Sequence, residues 1–193
     1  MAFLRSVSAS DLGPVIQGER VFLRMPQMTD YAEWAELRNQ SRDFLTPWEP
    51  TWIRDELTRA SYRRRVRHYQ RDYRDDLGYA FFIFDKSDNG LRGGMTLSNV
   101  RRGVTQSCSL GYWVGLPYAQ QGYMTAGVLT VLPFVFETLG LHRLEAACLP
   151  RNEASIGLLE KIGFEREGVA RKYLRINGVW QDHLLFALLK GDV

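Results

Sequence analysis

The sequence predicts a single α/β domain over 1–193, with a mixed and mostly antiparallel sheet of about seven strands flanked by about four helices. Three observations predict it. Short aromatic and β-branched runs are separated by turn signals at Asp88-Asn89-Gly90, Arg101-Arg102-Gly103 and Asn177-Gly178, the pattern of strands joined by hairpins. Helix-length segments interrupt these runs before Tyr79, after Gly122 and after Asn152, giving the order βααβββαβαββ. No internal repeat, low-complexity tract or linker divides the chain, and its 45% hydrophobic content suffices for one core.

In chain order, Glu19 to Pro26 alternates like a first strand. Asp30, with Glu33 three residues later, has the form of a capping box opening a helix that turns Trp34 and Leu37 inward. An arginine-rich helix follows from about Arg54 to Arg74, and then a meander of strands: Tyr79 to Phe84, Leu91 to Val100 and Cys108 to Val114. The apolar segment Met124 to Leu139 reads as a helix and His142 to Leu149 as a strand. Asn152 to Ile162 is a short helix, and Phe164 to Val179 turns at Asn177-Gly178 into a closing strand, Trp180 to Leu189.

Composition removes several function classes. A net charge of +3 is too small to announce nucleic acid, although its sign suits an acidic ligand. Cys108 and Cys148 fall in apolar strands without CxxC or Cys/His spacing, so they read as buried thiols, with no metal site, in a reducing compartment. Near the N-terminus, Arg5 is followed by Ser6, Ser8, Ser10 and Asp11, which interrupt any signal-peptide core, and no run approaches a membrane span. The expected location is cytoplasmic, as a monomer or homodimer.

Function enters at Trp113 to Ala126, where a buried strand turns through a short Gln/Gly loop into a helix. The first turn of a helix leaves its N–H groups without intrahelical partners, and the aligned peptide dipoles put partial positive charge there, so backbone alone can hold a phosphate. Gly122 supplies the missing Cβ where such a group must come close. The same residues would also serve as plain strand-to-helix punctuation.

The block Leu149-Pro150-Arg151-Asn152-Glu153-Ala154-Ser155 through Ile162-Gly163-Phe164 shifts the balance toward the first reading. Together with the loop it resembles the GNAT superfamily of acyl-CoA-dependent N-acyltransferases. The likeness is greatest to the Rim type, which acetylates ribosomal-protein alanine, and whose ending is similar to Ala170 to His183. It covers about residues 19–190. The resemblance implies an acetyl-CoA cofactor held by Trp113, Val114, Ala119, Gln120, Gln121, Gly122, Tyr123, Met124, Thr125 and Asn152. The pyrophosphate would lie on the loop amides and the pantetheine arm would pair like a strand beside Trp113 and Val114. The loop departs from the family pattern Gln/Arg-x-x-Gly-x-Gly/Ala: Gly122 matches, while Ala119 and Met124 stand at its first and last positions and Gln120 where glycine is common.

The resemblance further implies that Ser155, one helical turn after Asn152, donates a proton to the leaving thiolate. Leu159 stands where many relatives have a tyrosine and cannot donate. Asn152 and Ser155 are equally the residue types that cap a helix. For the base, Ala147 occupies the usual glutamate position, which leaves Glu145 on the same strand face, either as a catalytic carboxylate or as an ion-pair partner of Arg143. Asp182 and His183 are further candidates. An α-amino group, titrating near about 7.7–8.0, needs only a weak base, whereas a lysine near about 10.4 needs a strong one. The expected acceptor is therefore a protein N-terminus, for which the resemblance implies a ribosomal protein beginning with alanine, with a small amine such as an aminoglycoside or polyamine as the alternative. A CoA-binding or ribosome-binding module without chemistry is a further alternative.

Arg54, Arg59, Arg63, Arg64, Arg65, Arg67, Arg71 and Arg74 crowd one segment, but Asp55, Glu56, Asp72, Asp75 and Asp76 accompany them. The expectation is a solvated face laced with ion pairs, bordering the acceptor groove and without direct nucleic-acid binding.

Overall fold

Eight strands and five helices build the residues that the computed structural model describes, 13–192. The strands are β1 Val15–Gln17, β2 Val21–Arg24, β3 Tyr79–Asp85, β4 Leu91–Arg101, β5 Ser107–Val114, β6 Arg143–Cys148, β7 Glu165–Ile176 and β8 Val179–Leu189. The helices are α1 Tyr31–Gln40, α2 Arg42–Leu45, α3 Arg59–Arg74, α4 Tyr123–Pro133 and α5 Glu153–Ile162. One sheet runs β1-β2-β3-β4-β5-β6-β8-β7, antiparallel except between β5 and β6. The residues Arg5, Ser6, Ser8, Ser10 and Asp11, on which the expectation of no leader rests, lie outside the described range. Among the described residues no helix is long and apolar enough to cross a membrane.

Every residue of β3 is buried because the strand is covered on both faces. Side chains alternate across a sheet, so Phe81 and Ile83 join α4 in the larger core, while Phe82 and Phe84 join Trp34, Leu37, Tyr62 and Val66 of α1 and α3 in the smaller one. Trp34 and Leu37 are inward, as their spacing predicts. Both cysteines are buried, and burial pushes the Cys108 thiol up to about 12.

Several elements depart from the sequence reading. The first strand of the sheet, Val15–Gln17, is too short to show periodicity; it is found only because it pairs with β2. The short α2 is separated from α1 by Ser41, whose hydroxyl donates to the Leu37 carbonyl at 2.7 Å. The capping box forms at Gln27 and Asp30 instead of Asp30 and Glu33. Asp30 turns to Arg24 and to the Gln27 amide, and Glu33 accepts from the Leu91 amide at 2.6 Å, so tertiary partners take both carboxylates from the predicted box. The arginine helix starts at Arg59 with Thr58 as its cap. Pro133 lacks the N–H that a continuing α-helix needs, and the chain beyond it proceeds as a π turn, Phe134–Thr138. The Asn177-Gly178 turn, with φ of 42° and 80°, joins β7 to β8 as the dipeptide predicts.

Few of the α3 arginines are neutralised. The ion pairs made by this helix among the described residues are Arg64–Asp55, Arg65–Glu56 and the His68–Asp72 contact. Asp76 is drawn instead to Arg102. The ion pairs expected along the face are therefore confined to Arg64, Arg65 and His68 among the described residues, while Asp76 serves Arg102.

Candidate active site

The parallel ladder between β5 and β6 runs from Ser107–Arg143 to Leu110–Ala146 and stops there, although β5 continues to Val114 and β6 to Cys148. Beyond this point the strands part. Into the opening come the loop after β5, the N-terminus of α4 and the N-terminus of α5, and together they line a cleft of about 490 Å³.

Gly122 caps α4 with φ of 81°, a left-handed conformation that a side chain disfavours. The first backbone bond of α4 is donated by Ala126 to the Gly122 carbonyl at 2.9 Å, so the amides of Tyr123, Met124 and Thr125 have no intrahelical acceptor. The loop carbonyls are tied from behind. Arg20 donates to the Gln121 carbonyl at 2.5 Å, and its guanidinium lies 3.8 Å from the Tyr123 ring centroid. The Gln121 side chain donates to the Pro117 carbonyl at 2.7 Å. Beneath the loop, the Tyr123 hydroxyl donates to Asp85 at 2.6 Å. That bond, with those from Ser87, holds the Asp85 carboxyl well below the usual carboxylate range.

Asn152 caps α5, its side-chain oxygen accepting from the Ser155 amide at 3.2 Å. The Ser155 hydroxyl is 2.6 Å from the Tyr112 hydroxyl, and both residues line the cleft. Burial pushes Tyr112 up to about 12, so it stays protonated at neutral pH. Tyr112 escaped the sequence reading; its only signal is a polar group on β5 next to Trp113.

A second pocket of about 380 Å³ lies across the sheet, walled by Trp34, Trp52 and Tyr69 and carrying two carboxylates, Glu49 and Glu56. Glu56 is paired with Arg65. Glu49 accepts from both Arg38 nitrogens at 2.7 Å and from the Trp52 indole at 2.8 Å. Glu49, Tyr112 and Trp113 line both cavities, so the two meet at the opened ladder.

Of the predicted cofactor residues, Trp113, Val114, Ala119, Gln120, Gly122, Tyr123, Met124, Thr125 and Asn152 line the cleft; Gln121 does not, because its side chain is turned back to Pro117. Ser155 lies among them, but Glu145 lies apart. It sits in the closed part of the ladder opposite Ser109, bonds to Arg143 at 2.9 Å and lines neither cavity. His183 is buried against Tyr173 with Nδ1 3.0 Å from the Gln181 carbonyl, and Asp182 accepts from the Lys172 amide at 2.8 Å.

Residues 20–165 match the family model described as an acetyltransferase (GNAT) domain. The chain belongs to the GNAT acetyltransferases. Among curated members of this family, a probable N-acetyltransferase of Bacillus subtilis, YjcK, is 37% identical over 92% of this chain and 98% of its own. The [ribosomal protein uS5]-alanine N-acetyltransferase of Escherichia coli is 31% identical over 90% of each. Of solved structures, Mycobacterium smegmatis RimJ in complex with CoA-disulfide superposes with a TM-score of 0.86 at 31% identity, covering 94% of this chain and 88% of that one. The GNAT resemblance read from the loop and the Asn152–Ser155 block thus holds, with Rim-type enzymes among its relatives.

Proposed function

We propose that this GNAT acetyltransferase moves an acetyl group from acetyl-CoA to the N-terminal α-amine of a protein in the cytoplasm, and that a ribosomal protein beginning with alanine is its acceptor class. The observation that carries this reading is the meeting of two cavities at Glu49, Tyr112 and Trp113 through the opened β5–β6 ladder. The names of the Escherichia coli and Mycobacterium smegmatis relatives support the acceptor and the cofactor.

The residues present fit a CoA group. Unpartnered amides at the start of α4 would take its diphosphate, and the unpaired edge of β5 at Trp113 and Val114 would take the amide-bearing arm as a strand is taken. Ala119 contributes no side-chain contact, and the backbone donors compensate. When bound, acetyl-CoA supplies the thioester carbonyl that the amine attacks. Ser155 would give its hydroxyl proton to the departing sulfur, and Tyr112, hydrogen-bonded to Ser155, would restore it and be reprotonated in turn by the water that takes the amine proton. Glu49, fixed by Arg38 and Trp52, presents negative charge to the incoming ammonium, while water takes the amine proton. Glu145 is too firmly engaged with Arg143 to serve as the base proposed from its strand position. The acceptor pocket pairs each carboxylate with an arginine, which suits a single α-amine better than a polyamine.

The test is acetyl-CoA turnover, read as released thiol and product mass, on an Ala-initiated peptide, the same peptide blocked at its α-amine, and spermidine. Acetylation confined to the free α-amine is expected. Modification of the lysine side chain or of spermidine alone, or CoA binding without turnover, would overturn the reading.

A further inference from the structure

The solvent face of α3 carries Arg59, Arg63, Arg67, Arg71 and Arg74. At about 100° of rotation per residue they fall within about a third of the helix circumference, close to one guanidinium per turn along roughly 22 Å. All are exposed, and none takes part in an ion pair or side-chain hydrogen bond among the described residues; Arg59 alone has a partner, the Tyr31 ring at 5.5 Å. Like charges at i,i+4 repel along a helix, by roughly 0.2–0.5 kcal/mol per pair, so the row weakens the helix that bears it. The opposite flank carries Arg65 and Tyr69, which line the acceptor pocket. The helix therefore divides a neutral, aromatic pocket from a line of uncompensated charge.

We infer that this row is a docking surface for a nucleic-acid phosphate backbone, placed one helix width from the acceptor pocket. A protein partner would need apolar anchors, and protein interfaces draw their energy from buried aromatic and aliphatic residues. The arc offers none: besides the arginines it holds Ala60 and Gln70. Nucleic-acid interfaces are polar and strongly positive, and the guanidinium fork matches phosphate oxygens two at a time. The surface reads no sequence, since phosphate contacts position a partner without identifying bases. It suits an acceptor whose N-terminus is presented beside RNA. The surface itself does not depend on the acceptor reading, because nucleic-acid binding and peptide acetylation are measured separately.

The experiment is fluorescence anisotropy of a labelled 20-nucleotide single-stranded RNA with the full chain from about 50 to 300 mM salt, on the wild type and on R63Q/R67Q/R71Q/R74Q. Each phosphate neutralised on a single strand contributes about 0.7 to the slope of log K against log salt. The wild type is expected to give a slope of about 3 and the variant a slope below about 1, with affinity at least tenfold weaker at 50 mM and peptide acetylation unchanged. If the quadruple variant does not fold by circular dichroism, R67Q and R71Q singly are each expected to lower the slope by about 0.7. No binding at 50 mM salt, a slope unaffected by these substitutions, or poly-glutamate competing as well as RNA of equal charge would overturn the inference, the last in favour of an acidic protein.

Discussion

The Tyr112 hydroxyl lies 2.6 Å from the Ser155 hydroxyl, joining β5 to α5 across the opening where the ladder ends. In the proposed reaction the Ser155 hydroxyl, having given up its proton, would be replenished by Tyr112. Replacing Ser155 with Ala is expected to lower kcat by roughly 10²-fold, and Tyr112→Phe by about tenfold, with the KM for acetyl-CoA changed less than twofold in both. Steady-state kinetics on an Ala-initiated peptide check this. A Tyr112→Phe enzyme with unchanged kcat would reduce Tyr112 to a packing role. Burial raises the Tyr112 pKa to about 12 from its ordinary value of 10.0, so the folded state holds the proton more tightly than the unfolded chain. The stability this gives is complete below pH about 10 and is lost as pH rises through the folded value, and Tyr112→Phe is expected to flatten that alkaline decline.

Gly122 and Arg20 set the loop. A Cβ at Gly122 would enter a left-handed backbone and come 3.5 Å from the Arg20 guanidinium. Gly122→Ala is expected to cost about 1 kcal/mol of stability and to weaken CoA binding about tenfold by calorimetry, since the amides it disturbs are the donors proposed for the diphosphate. Arg20→Ala removes the hold on the Gln121 carbonyl and the guanidinium over the Tyr123 ring, and is expected to weaken CoA severalfold with a smaller loss in Tm than Gly122→Ala. Equal affinities in all three proteins would remove the loop from cofactor binding.

What the sequence disclosed of this site is what local chemistry writes into it. Gly122 before an apolar helix and Asn152 before α5 are cap residues, and a cap is visible within a few positions of chain. Tyr112 and Arg20 act on partners far away: Arg20 reaches a carbonyl 101 residues on, and Tyr112 a hydroxyl 43 residues on. No periodicity encodes such pairs. Glu145 misled for the complementary reason: strand alternation gives the face of a side chain but not where the neighbouring strand stops pairing, and Glu145 falls where β5 and β6 are still joined. The four longer helices were legible in order; β1 and the four-residue α2 were not, because each run is too short to show a period.

Glu49 offers both cavities a carboxylate whose oxygens are already committed to Arg38 and Trp52. A group so fixed is placed to orient a cation. Glu49→Gln is expected to raise the KM for the peptide about tenfold while the KM for acetyl-CoA stays within twofold, and to leave the pH profile of kcat unshifted. A displaced pH profile would identify Glu49 as the base instead. Arg38 is 7% exposed, so loss of its partner's charge is also expected to lower Tm, by the equivalent of about 1–3 kcal/mol.

Asp85 anchors the start of α4 through the Tyr123 hydroxyl, and this bond is the largest cause of its depressed pKa. A carboxylate held below its ordinary value binds fewer protons folded than unfolded at moderately acid pH, so stability rises with pH there. The contribution is present above the unfolded value near about 3.9 and is lost as pH falls through it toward the folded value. Tyr123→Phe deletes the donor without changing the ring that stacks on Arg20. At pH 7 it is expected to cost about 1.5–3 kcal/mol, as for a hydrogen bond to a charged group. The gap to wild type is expected to hold from pH 7 to about 3 and to narrow only below that, because without the hydroxyl the folded variant takes up the Asp85 proton at a higher pH than the folded wild type does. Stability measured for both proteins from pH 7 to about 2 checks it. A gap that is unchanged at pH 2 would show that the tyrosine contributes packing alone, and that the depressed Asp85 pKa owes its value to the Ser87 bonds.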